Sequence, residues 1–265
     1  MLSVSRLAIA AAILSASLGL PGCQATNPAP SLFAAAPPPP PPPPPPAASP
    51  VVAERIGKPL GGDASFSAIY AETKDGAFTV PAVKAGQVGA AFRRQSVAYA
   101  TKEAPGTIVV DPANHFLYYV EDGGRATRYG VGVGREGFVW AGEATIKSKQ
   151  EWPDWYPPKE MIERRPDLKS TVVQLQSGVG LHGGPHNPLG ARAMYLWQGD
   201  KDTLFRIHGT NEPSSIGHSE SSGCIRMINQ DVIDLYQKVA IGTKVVVLGS
   251  PHAQALNLAQ SAPGR

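Results

Sequence analysis

Two residues of this chain carry the chemistry that its sequence suggests, Cys224 and His208. Cys224 lies in Ser221-Ser222-Gly223-Cys224-Ile225-Arg226-Met227, sixteen residues after the histidine of Ile207-His208-Gly209-Thr210. A thiol attacks a carbonyl only as its thiolate, so it needs a nearby base or a positive field. A histidine at the end of a strand, with one ring nitrogen held by a backbone carbonyl, would supply the base. Small residues beside the thiol let a substrate carbonyl approach, and they free the amides of Gly223 and Cys224 to form an oxyanion hole. Arg226 lies two residues on and points the same way as Cys224 in an extended segment, which suits a substrate carboxylate. A free cysteine is also a common small core residue, and one thiol with one upstream histidine does not by itself decide between the two readings.

The other histidines invite a metal reading. His182, His186, His208 and His218 together with Cys224 would be a zinc-like set. However, His182 and His186 flank Gly183-Gly184-Pro185, which cannot be a helical turn presenting both on one face, and neither Cys-x-x-Cys nor His-Glu-x-x-His occurs. No metal and no organic cofactor is expected. His182 is assigned to the lining of the substrate groove, and His218 is a second candidate for it. Arg192 and Arg206 are read as positive charge around the site, with a structural role for each standing beside that reading. His115 sits in a turn and is expected to be solvated.

The elements that must position these residues read mostly as strands. Thr107-Ile108-Val109-Val110 stops at Asp111-Pro112, and Phe116 to Val120 stops at Asp122-Gly123-Gly124. Ala126 to Gly134 follows. Short apolar or alternating runs between such breakers indicate hairpins. In Leu204 to His208, Phe205 and Ile207 share one face of a strand while Arg206 and His208 share the other. Trp152-Pro153-Asp154-Trp155-Tyr156-Pro157-Pro158 is a rigid aromatic loop, either a lid over a groove or an ordinary packed loop. Pro158 suits the first turn of a short helix through Arg164, which Pro166 stops. A later helix has Asn229 as its cap, Asp231 in its first turn, and Val232, Leu235, Tyr236 and Val239 at helical spacing, with Gly242 as its end. Thr243 to Leu248 is a last strand. The result is a β-rich domain with one or two short helices over roughly residues 105–250.

The stretch from His208 to Arg226 closely resembles the signature of the L,D-transpeptidase catalytic domain, the YkuD-type family of bacterial cell-wall enzymes. The His-Gly-Thr strand end, the gap to Ser-x-Gly-Cys and the following Ile-Arg all match. The resemblance runs from Pro105 to Leu248 and includes Gly183-Gly184-Pro185-His186-Asn187-Pro188-Leu189-Gly190-Ala191-Arg192. It implies a mainly β, sandwich-like transpeptidase fold. It also implies Cys224 as nucleophile, His208 as base and the Gly209 carbonyl as the group orienting the imidazole. Some members carry His at the place of Ser222 and Asn at the place of Arg226, the positions where substrate contacts are expected. His182 and Arg192 complete the expected substrate-binding set. The implied reaction opens a peptidoglycan tetrapeptide stem at its third residue, releases D-alanine and passes the acyl group to an amine. That amine belongs to another stem, giving a 3→3 cross-link, or to an outer-membrane protein. An L,D-carboxypeptidase and a non-catalytic wall-binding lipoprotein are the alternatives.

Composition narrows the remaining classes. Among 265 residues, Lys and Arg number 24 against 21 Asp and Glu, a net +3 too balanced to suggest a nucleic-acid partner. Charged residues make up 17%, below the roughly 25% of a globular chain. The deficit lies in residues 1–50, whose single charge is Arg6. Leu7 to Leu20 behind that charge reads as a secretory signal (residues 1–22), shorter than the ~20 residues of a spanning helix. Leu20-Pro21-Gly22-Cys23 resembles a lipobox, so Cys23 is either a lipidation site or part of an ordinary cleaved signal. Gln24 after it suggests sorting to the outer membrane, with membrane contact through the lipid alone and a periplasmic body. Residues 23–50 are a disordered linker, and its block Pro37 to Pro46 favours a polyproline II spacer of roughly 30 Å. Residues 51–104 read as an irregular arm and 251–265 as a disordered tail. Once Cys23 is lipidated or removed, Cys224 is the one thiol left in an oxidising compartment.

Overall fold

The β-branched and aromatic runs become strands of one large sheet. A computed structural model describes residues 58–60, 65–135, 140–221 and 223–249. The signal segment, Cys23, the proline linker, Ser222 and the tail 251–265 lie outside the described residues. In chain order come β1 (Lys58–Pro59), helix α1 (Phe66–Ile69), the hairpin of β2 (Thr73–Asp75) and β3 (Phe78–Val80), and β4 (Gln95–Ala98). Then follow β5 (Ile108–Asp111), β6 (Phe116–Glu121), β7 (Arg125–Gly134) and β8 (Gly142–Glu151). Helices α2 (Lys159–Arg164) and α3 (Pro166–Lys169) and the hairpin of β9 (Val173–Leu175) and β10 (Gly178–Gly180) lead to β11 (Arg192–Gln198) and β12 (Lys201–His208). The chain continues through β13 (Ser219–Ser221), β14 (Ile225–Met227), α4 (Asn229–Lys238) and β15 (Lys244–Val247).

The fold is mainly β. Strands β7-β14-β12-β11-β8-β15-β5-β6 are neighbours in that order, and β6 pairs back onto β7, so the sheet closes on itself. The two layers expected of a sandwich are here two sides of one closed sheet. One of three apolar clusters among the described residues draws on all eight strands of the ring, among them Ile108, Leu117, Tyr129, Ile146, Met194 and Ile207. Helix α4 joins that core through Val232 and Leu235, both fully buried. Burying such side chains is worth about 1.5–3 kcal/mol each, which makes the ring a stiff platform.

Three details differ from the sequence reading. The sheet begins before residue 105, because β4 pairs with β7 from Gln95↔Arg128 to Ala98↔Arg125. Pro158 stands just before α2 rather than in its first turn, and Pro166 opens α3 as well as ending α2. Asn229 does not cap α4. The cap position is Ile228, and the Asn229 side chain reaches across the fold to accept the Ala191 N–H at 2.9 Å.

Candidate active site

Strand register builds the site. Gln150, Ala193, His208, Arg226 and Gly132 are successive cross-strand partners across β8, β11, β12, β14 and β7. Two residues along the same face lie Ser148, Tyr195 and Arg206. Ile207 pairs with Ile225 in parallel, so Cys224 at the entrance of β14 falls beside Arg206. The alternate residues Met194, Ile207, Ile225 and Met227 face the core. The period of two in β12 therefore carries Arg206 and His208 to the reactive side, as the sequence implied.

The His208 ring is buried, and its Nδ1 lies 2.6 Å from the Gly209 carbonyl. A carbonyl only accepts, so Nδ1 carries the proton and Nε2 is left as the basic nitrogen. The hydrogen-bond partner of Nδ1 is thus the carbonyl of the next residue, Gly209. Gly209 is fixed in turn, its N–H donating to the Arg192 carbonyl at 3.0 Å. A Cβ at Gly209 would stand 2.2 Å from Asn229 Oδ1, so no larger residue fits between the strand end and α4. Burial pushes the His208 imidazole down to about 4, with the charges of Arg226 and Arg206 adding to that effect, against the Gly209 and Leu189 carbonyls, which favour the protonated ring.

The Cys224 thiol is half-buried and free. Burial pushes its pKa up, while the Arg206 backbone N–H and the guanidiniums of Arg206 and Arg226 work the other way. Among the described residues no hydrogen bond joins the sulfur to the imidazole. Burial thus favours the uncharged form of both groups. Ser221 Oγ donates to the Cys224 carbonyl at 2.7 Å and accepts the Gly223 N–H at 3.1 Å, which fixes the turn carrying the nucleophile. One of the two amides expected at an oxyanion hole is therefore engaged by Ser221.

The remaining candidates separate. Arg206 is at the site, clamped by Asp202 at 2.7 and 2.8 Å and stacked 4.5 Å over the Tyr195 ring. Arg192 is not. It shares the core-facing side of β11 with Met194, is 5% exposed, and forms a two-pronged pair with Asp75 at 2.7 and 2.8 Å. Its alternation within β11 puts it on the opposite face from His208, so it cannot touch a substrate there. The His182 ring is largely exposed and lies 3.7 Å from Asp154. His115 is half-buried rather than solvated, its Nε2 at 2.9 Å from Ser219 Oγ in the loop between the two catalytic candidates. Among the described residues no three His, Cys, Asp or Glu side chains gather as a metal set.

An open cleft of about 480 Å³ is lined by Gln150, Glu151, Trp152, Asp154, Tyr156 and Tyr195, with others, of which Gln150 and Tyr195 come from the face that carries His208. Tyr195 belongs both to this cleft and to the Arg206 stack beside Cys224. Trp152, Pro153, Asp154 and Tyr156 of the aromatic loop thus line this cleft. Tyr195, Gln150 and Asp202 were missed from the sequence. Only the alternation of β11 and β8 could have placed the first two on this face, and it required knowing which strands are neighbours.

Known proteins bear on this arrangement. The L,D-transpeptidase catalytic domain model, YkuD, matches residues 105–247. The chain is 33% identical over 153 residues to "Probable L,D-transpeptidase ErfK/SrfK" of Escherichia coli K12, covering 54% of this chain and 44% of that protein. It is 36% identical over 108 residues to "Putative L,D-transpeptidase in ATP synthase subunits region ORF 5" of Fuscovulum blasticum, covering 40% and 49%. The chain thus spans less than half the length of these curated relatives. A Brucella melitensis crystal structure described as a "Probable carnitine operon oxidoreductase caia" is 55% identical, covering 59% of this chain and 94% of that one, with a TM-score of 0.39, too low to bear on the fold. The matched segment contains both His208 and Cys224, and the chain belongs to the L,D-transpeptidase catalytic domain family, enzymes built on a catalytic cysteine.

Proposed function

We propose that the protein is a peptidoglycan L,D-transpeptidase with Cys224 as nucleophile and His208 as base. The observation that carries this reading is the shared face: Cys224, Arg206, His208 and Arg226 stand together on adjoining strands, beside an open cleft. The stem peptide lies in the cleft with the carbonyl of its third residue over the thiol. As Sγ attacks, its proton passes to Nε2 of His208, so the thiol need not ionise beforehand. The oxyanion takes the Cys224 amide, and the Gly223 amide once it exchanges Ser221 Oγ for the substrate. The imidazolium returns the proton to the departing D-alanine nitrogen, leaving a thioester. An acceptor amine then attacks the thioester carbonyl, gives a proton to Nε2 and expels Sγ, which takes that proton back from the imidazolium. Arg226 and Ser222 are the nearest candidates for substrate contacts, with His182 at the cleft's outer margin. The mechanism calls for neither metal nor organic cofactor.

The body of the protein works in the periplasm, tethered by the proline linker through a lipid on Cys23 to the outer membrane. The domain map is a signal at 1–22, a linker at 23–50, an arm at 51–104, a catalytic domain at 105–250 and a tail at 251–265. Incubating the purified protein with disaccharide tetrapeptide and analysing the products tests the reading. Cross-linked 3→3 dimers with free D-alanine, absent in Cys224→Ala, are expected. Tripeptide alone would indicate a carboxypeptidase, and no product from a folded protein would leave a wall-binding tether.

A further inference from the structure

The strongest feature outside the matched domain is the hairpin of β2 and β3, which precedes residue 105 and yet reaches the groove. Its Asp75 accepts three hydrogen bonds. The Trp152 indole N–H donates to Oδ2 at 2.8 Å, and the two Arg192 terminal nitrogens donate to Oδ2 at 2.7 Å and Oδ1 at 2.8 Å. Phe78, on the other strand of the hairpin, packs against the Trp152 ring at 4.8 Å between centroids. These contacts depress the Asp75 carboxyl below its ordinary value, chiefly through the hydrogen bond from Arg192.

Trp152 needs such support. Its φ is +43°, a left-handed conformation that a bulky residue adopts only where its surroundings impose it. Its N–H donates to the Ala191 carbonyl at 2.8 Å, which ties the loop to the start of β11. Two residues on, Asp154 accepts the Gly183 N–H at 2.9 Å. Trp152 and Asp154 both line the cleft. The wall is therefore held from below by Asp75 and from the side by the glycine-rich segment. The His208 side is held by other bonds, Gly209 N–H to the Arg192 carbonyl and Ala191 N–H to Asn229, which need no carboxylate at position 75.

We infer that Asp75 is a positioning residue for the substrate cleft: through the Trp152 indole and the Arg192 guanidinium it sets the Trp152–Asp154 wall against which the stem peptide lies. This rests on the proposed function for the identity of the substrate, but not for the placement of the wall. The N-terminal hairpin thus completes a groove that the matched domain leaves without one support. Loss of Asp75 acts on substrate binding and spares the reactivity of Cys224.

The test uses the full chain labelled with 5-fluorotryptophan, whose four tryptophans include Trp152. The Trp152 signal is assigned by Trp152→Phe. In Asp75→Asn its fluorine resonance moves or broadens while those of Trp140 and Trp197 stay, and Asp75→Glu, which keeps the charge, restores part of the change. With the stem peptide, KM rises about tenfold in Asp75→Asn while kcat stays within about twofold. Alkylation of Cys224 by iodoacetamide keeps its rate. An unmoved Trp152 resonance in Asp75→Asn overturns the inference, whatever the activity. So does an unchanged KM, or alkylation that slows together with KM. If the unmodified protein turns over no stem peptide, the proposed function fails, and the Trp152 resonance still decides the placement.

Discussion

Burial, which pushes the His208 imidazole down to about 4 and the Cys224 thiol up, works against a thiolate–imidazolium pair at neutral pH. The base stays neutral far below its ordinary 6.5, so it remains able to accept a proton across most of the acid range. Activity on a stem peptide should therefore lose its acid limb near pH 4, not near 6.5, in a kcat/KM profile. Alkylation without substrate reports the thiol alone and should climb through the alkaline range with no step near pH 6.5. A step there would place the imidazole in contact with the sulfur before substrate arrives. His208→Ala should lower kcat/KM by about 10²–10⁴, the usual worth of a positioned base. Strand alternation made the shared face of Arg206 and His208 legible, while the roles expected of Cys224, His208 and Gly209 rested on the resemblance to the transpeptidase signature. Arg192 was not legible, since its partner Asp75 is 117 residues away and its charge alone did not reveal which face it takes.

At the scale of elements, the loop from Gly209 to Gly223 is seated on β7. Ser219 and Ser221 pair with Val133 and Gly134, and a Cβ at Gly132 would meet the Ser215 carbonyl at 2.7 Å. Gly132→Ala should therefore lift this loop, costing about 1–3 kcal/mol by overpacking, with a larger fractional loss in kcat than in thermal stability. Urea unfolding and turnover on one preparation check both. A stable variant with unchanged kcat would show that the loop's seat does not matter. Strands β5, β6 and β7, the end of β12 and β15 could be read directly, as runs of apolar or alternating residues between Asp, Asn, Gly and Pro, whereas β8 and β11 were not read. The arm could not be read, because α1, β2 and β3 are three or four residues long and take their shape from the domain beneath them. Asn229 failed as a cap for a related reason: a tertiary partner, the Ala191 amide, outcompeted the local one.

For the whole molecule, the arm is bound to the catalytic domain through a buried polar cluster. Tyr70 of the arm donates to Asp231 of α4 at 3.1 Å, and Arg94 pairs with Asp234 at 2.8 Å and stands 3.7 Å from Asp231. Burial raises the fully enclosed Asp231 carboxyl from 3.8 to about 7. The folded state thus holds a proton that the unfolded chain has released between those values. Stability from this group is full below pH 4 and is lost as pH rises through 7. Asp231→Asn should accordingly gain on the unmodified protein across that range, by about 4 kcal/mol at most. His208 works in the opposite sense over much of the same range, so the difference between the two proteins, rather than either melting curve alone, carries the prediction. A difference independent of pH would mean that Asp231 is ionised in the fold.

In the proposed reaction Cys224 takes the acyl group of a stem peptide. Intact-mass spectrometry of the protein shortly after mixing with disaccharide tetrapeptide measures this directly. The predicted result is an added mass equal to the substrate less its terminal alanine, located on the Cys224 peptide, absent in Cys224→Ala and slow to form in His208→Ala. An adduct on another residue, or a folded protein that releases D-alanine with Cys224 replaced, would contradict it.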